Sequence, residues 1–77
     1  MHSKPYGRHL PMFPVLYSTP DDPLTEERIQ REWDRMVKRA ETAVSEGKAD
    51  EQQYELWRIA LARWSEFHYE AMNMWVA

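Results

Sequence analysis

The chain has 77 residues, of which 43% are hydrophobic and 30% charged, with a formal net charge of -3 and a mean hydropathy of -0.81. That is chain enough for one domain, too little for a multidomain enzyme, and too apolar for wholesale disorder. Without cysteine, neither a disulfide nor a thiolate zinc site can reinforce a small core, and the net acidity disfavours non-specific nucleic-acid binding, which gains its energy from phosphate neutralisation. Four Trp, four Tyr and two Phe are the natural source of core area instead, because each can bury roughly 150 to 250 Å².

All five prolines (Pro5, Pro11, Pro14, Pro20 and Pro23) fall in the first 23 residues. Each removes a backbone donor and biases its predecessor toward extended geometry, so this stretch is not expected to form a long helix, although a short helical turn fits within it. Leu10, Met12, Phe13, Val15, Leu16 and Tyr17 make it too apolar for an inert linker. Residues 1–23 therefore read as a proline-rich extended arm that docks on the rest of the chain, residues 24–77. The stretch also lacks the continuous apolar run of a secretory signal, and no segment approaches the roughly 20 apolar residues that span a bilayer, so a cytoplasmic protein without membrane attachment is expected.

Thr25 followed by Glu26 and Glu27 is a helix start, with a capping hydroxyl and two acids against the helix dipole, and Leu24 and Ile29 are spaced as a hydrophobic staple. Ile29, Trp33, Met36, Val37, Ala40, Ala43 and Val44 then recur at helical spacing until Gly47, a natural C-terminal cap. Asp50 with Gln53 resembles a capping box that opens a second helix. The pattern predicts an all-α antiparallel two-helix hairpin, with helices over about 25–46 and 50–75 and a short connection. Trp57, Trp64 and Ala71, with Ala60, Phe67 and Met74 and with Leu61, His68 and Trp75, give the second helix an apolar arc of roughly 160°, too wide for one partner helix to cover.

No residue set names a reaction. The three histidines, His2, His9 and His68, form no His-x-x-x-His or Glu-x-x-His pair, and no phosphate loop, nucleophile triad or carboxylate pair is recognisable. The methionines of Met72-Asn73-Met74 read as core fillers, not soft-metal ligands. The expectation is thus no catalytic residue, no metal and no cofactor.

The sharpest polar feature is Arg28, Arg31, Arg35 and Arg39, which step by three, four and four along one side of the first helix with Lys38 beside them. Guanidinium forks pair bidentately with carboxylates and phosphates, so the ridge suits an acidic protein partner or nucleic acid. The plainer reading is a solvated face laced by Glu27, Glu32, Asp34 and Glu46. On the second helix, the edge formed by His68, Met72 and Trp75 is the expected surface for a second copy, with the arm covering the other edge, while Tyr69 is expected on the polar face.

These features point to a small protein-protein interaction module that forms a homodimer. By analogy with other small, acidic, cysteine-free domains, it is expected to be a phage or mobile-element accessory protein that binds and inhibits a host protein, an anti-CRISPR-like role. The alternatives are a dimeric DNA-binding regulator that uses the arginine ridge, a structural or assembly subunit, and a small-ligand binder whose pocket is lined by Trp57, Trp64 and the arm.

Overall fold

A computed structural model of the chain describes residues 9–76, and side chains as far as residue 74. The first eight residues of the expected arm lie outside the described part. Two helices pack against each other, α1 (Glu26–Ser45) and α2 (Glu51–Val76), and no strand occurs among the described residues.

The helix ends follow from local chemistry. The Thr25 backbone is extended, and its Oγ1 accepts from the Arg28 N–H at 3.2 Å, so Thr25 caps α1 and stays outside it. Gly47, at φ 76°, occupies the left-handed region and ends α1. The Gly47 N–H donates to the Val44 carbonyl at 3.0 Å and the Lys48 N–H to that of Ala43 at 2.9 Å, a Schellman arrangement that satisfies two otherwise orphaned carbonyls. At the start of α2 the capping box closes in both directions: Gln53 N–H donates to Asp50 Oδ1 at 2.7 Å, and Asp50 N–H to Gln53 Oε1 at 2.9 Å. Thr25 and Asp50 are thus caps, and the helices run one residue inside the expected starts.

Ile29, Met36, Ala40 and Ala43 of α1 are buried, as are Trp57, Leu61, Trp64 and His68 of α2. Ala40 and Ala43, with Ala49 in the connection, are small enough to let the backbones approach closely near the hairpin's closed end. Trp33, expected in the core, is only half-buried: the Arg58 guanidinium lies 6.0 Å from its ring and 5.9 Å from that of Tyr54, a cation-π bridge between the helices.

A third layer comes from residues 10–16, which contain no helix and lie along α2 in the same direction as that helix. The Trp57 Nε1–H donates to the Pro11 carbonyl at 2.9 Å, the Trp64 Nε1–H donates to the Pro14 carbonyl, and the Leu16 N–H donates to His68 Nε2 at 2.9 Å. The register is commensurate. Seven helical residues rise about 10.5 Å and four rise about 6 Å, whereas three and two residues of polyproline-like chain span about 9.3 and 6.2 Å. Leu10 is buried, and Phe13 stacks on Trp57 at 5.6 Å.

After Tyr17 the chain reverses through Thr19-Pro20-Asp21-Asp22, where Thr19 and Asp22 exchange backbone hydrogen bonds at 3.2 Å in both directions. Ser18 Oγ accepts from the Leu24 N–H at 3.1 Å, which fixes the entry into α1. No short helical turn occurs in the described part of this stretch, because its backbone groups are committed to α2 and to this turn.

Replacing Trp64 separates ring burial from hydrogen bonding. Trp64→Ala removes both and should cost about 3 to 5 kcal/mol, leaving much of the chain unfolded. Trp64→Phe keeps a ring but strands the Pro14 carbonyl, for a smaller loss of about 1 to 3 kcal/mol. Urea titration followed by far-ultraviolet circular dichroism measures both, and a Trp64→Phe chain as stable as the wild type would show that the indole N–H contributes nothing.

Candidate functional site

The four arginines of the expected ridge do not act together. Arg28 is turned into the fold, with only 22% of its side chain exposed; its Nη1 lies 3.0 Å from the carbonyls of Tyr17, Asp22 and Pro23, and its Nη2 lies 3.7 Å from Asp22 Oδ2. It clamps the reversal between the arm and α1 and has little capacity left for a partner. Arg31 pairs with Glu27 at 3.9 Å, beside Glu26, Gln30 and Asp34, in mixed-charge surroundings. Such exposed pairs are worth at most about 1 kcal/mol.

Arg35 and Arg39 sit differently. Both line a groove of about 1010 Å³ between the arm and α1, whose apolar lining includes exposed Met12 and half-buried Phe13 beside the buried Leu10 and Met36. Lys38 and Lys48 also line it, as do two acids: Glu32, 3.6 Å from Arg35, and Glu46, 3.2 Å from Lys48. Lys38 and Arg39 have no ion pair among the described residues. The groove thus combines apolar surface with an excess of positive charge. Its signal in the sequence was the arginine spacing; its second wall was not legible, because only the docked arm creates it.

On α2, His68 does not lie on the exposed edge expected of it with Met72 and Trp75. His68 is 1% exposed and lies beneath the arm. Because Nε2 accepts from Leu16, Nδ1 carries the proton and donates to the Trp64 carbonyl at 2.8 Å, which fixes one neutral tautomer. Met72 is half-buried against the core, and the Trp75 side chain lies outside the described residues. Tyr69, expected on the polar face, is also half-buried against the core.

The arm takes the middle of the apolar arc and leaves a different row uncovered. Leu56, Ile59, Phe67 and Met74 are 43%, 57%, 59% and 78% exposed. Phe67 adjoins the arm's docking line, with its ring edge-on to that of His68 at 5.2 Å. The indole N–H groups of Trp57 and Trp64, which a small-ligand pocket would present, are both engaged by the arm itself.

Among the described residues no group of three or more His, Cys, Asp or Glu side chains is placed to hold a metal ion. Among the described residues no helix is long and apolar enough to cross a membrane. No family model matches the chain, and no curated protein or solved structure matches it.

The His68 tautomer is directly observable. Long-range ¹H–¹⁵N correlation should show a protonated Nδ1 and an unprotonated, hydrogen-bonded Nε2. His68→Leu should cost about 1 to 3 kcal/mol, since it leaves the Leu16 N–H without its acceptor, and that amide should then exchange markedly faster with solvent. Unaltered exchange at Leu16 would separate the arm from His68.

Proposed function

We propose that the protein is a protein-protein interaction module that holds an acidic, amphipathic segment of a larger protein in the groove between the arm and α1. The observation that carries this reading is the conjunction of Arg35, Lys38, Arg39 and Lys48 with the accessible apolar side chains of Met12 and Phe13 in one groove. Carboxylates of the segment would pair with the cations, Arg39 and Lys38 first because neither has an ion pair among the described residues, and its apolar side chains would meet those of Met12 and Phe13. A chain of this size acts on such a partner by masking the segment, which is how the inhibitor role expected of a phage or mobile-element accessory protein would be exercised.

Nucleic acid is the weaker ligand for the same surface. With Arg28 committed to backbone carbonyls, and Arg31 and Arg35 paired to carboxylates, the continuous cationic ridge that phosphates require is interrupted, and the chain carries a net charge of -3.

The triple variant Arg35→Glu, Lys38→Glu, Arg39→Glu tests the reading. These exposed side chains can reverse sign with helicity retained, and affinity capture from the source cell should then lose the wild-type partner by tenfold or more. The wild-type interaction should weaken with salt, and the captured protein should contain a segment rich in Asp and Glu. Undiminished capture by the variant would remove the groove from partner binding, and salt-sensitive retention on mixed-sequence DNA would put nucleic acid in its place.

A further inference from the structure

The exposed row on α2 has an internal symmetry that the groove reading does not use. Leu56, Ala60, Arg63, Phe67, Glu70 and Met74 are spaced four, three, four, three and four, the seam of a coiled coil, and all but half-buried Ala60 are exposed. The seam is also self-complementary about Ser65. In an antiparallel pairing with that midpoint, Leu56 lies opposite Met74 of a second copy, Ala60 opposite Glu70, and Arg63 opposite Phe67.

We infer that α2 pairs with α2 of a second copy, antiparallel and centred on Ser65, so that the protein is a two-fold dimer through this seam. Three features favour this occupant. First, the apolar positions meet apolar positions at both ends of the seam, in Leu56 against Met74 twice over. Second, near the two-fold axis each Arg63 guanidinium lies over the Phe67 ring of the other copy. Third, Arg63 comes within a helical turn of Glu66 and Glu70 of that copy on the same flank, and none of these three has an ion pair within the chain among the described residues. A parallel pairing would instead stack Arg63 on Arg63 and Glu70 on Glu70, so the charges select the antiparallel orientation. The small Ala60 leaves room for the Glu70 stem, and the two-fold operator gives each copy the same set of contacts.

Analytical ultracentrifugation at tens of micromolar should give twice the 9.3 kDa chain mass. Phe67→Asp and Arg63→Glu should each sediment as monomers with wild-type helicity, since both side chains are exposed and neither contributes to the buried core. Orientation is read by cysteine crosslinking, for which the cysteine-free chain is a clean background. A mixture of Leu56→Cys and Met74→Cys chains under mild oxidation should give the mixed disulfide. Neither variant alone should crosslink, because two Leu56 positions would lie about 27 Å apart, eighteen residues of helix rise. A wild-type chain that stays monomeric at hundreds of micromolar overturns the dimer, as do seam variants that still dimerise. Crosslinking of either single-cysteine variant alone, or no disulfide in the mixture, overturns the antiparallel register. None of these outcomes bears on the groove, whose cations lie on α1 and the connection.

Discussion

The structure depends on one complementarity, between tryptophan side chains that can only donate a hydrogen bond and proline residues that can only accept one. An indole buried on α2 needs an acceptor for its Nε1–H, because stranding a polar group away from water costs on the order of 1 to 3 kcal/mol. An extended segment laid against a helix has the converse difficulty, since its own N–H groups would be orphaned there. Pro11 and Pro14 bring a carbonyl and no N–H, so they answer Trp57 and Trp64 without adding a new demand. Leu16 does bring an N–H, and at that level α2 presents His68, whose Nε2 lone pair accepts it. No buried side-chain polar atom among the described residues lacks a partner.

This pairing does for the chain what a third helix does in a small bundle. The arm runs up α2, the Thr19–Asp22 turn reverses it, and α1 and α2 complete the three layers. The Arg28 clamp matters more to this architecture than the exposed ion pairs do. Its guanidinium gathers three carbonyls from the reversal, while Arg31–Glu27 and Arg35–Glu32 lie on the helix surface, where solvent screens them.

Both candidate interaction surfaces follow from where the arm sits. By lying over the Trp57, Trp64 and His68 side of α2, it leaves the Leu56, Phe67 and Met74 row open to solvent. Opposite α1, it forms the second wall of a groove whose cations lie on that helix and on the connection. A two-helix hairpin without the arm would have neither surface in this form, and its exposed tryptophans would dominate any association.

Sequence alone sets the helices and their ends. Cap chemistry is local: Thr25, Gly47, Asp50 and Gln53 act on backbone groups within a few residues, so their roles are readable without knowing what packs on them. It also determined that the α2 arc exceeds what one helix covers, because that width is a property of spacing alone. Tertiary structure decided which part of the arc the arm takes. That choice turned on the match between the rise of α2 and the reach of an extended chain from Pro11 to Leu16, and on which buried groups donate and accept. Neither is encoded in hydrophobic periodicity, so His68 and Met72 were expected on an open edge that in the fold lies at Leu56, Phe67 and Met74. Arg28 differs from Arg35 and Arg39 for the same reason. All three share one helix face, but only Arg28 lies beside the carbonyls of the chain reversal, and that proximity exists only once the chain has turned back on itself.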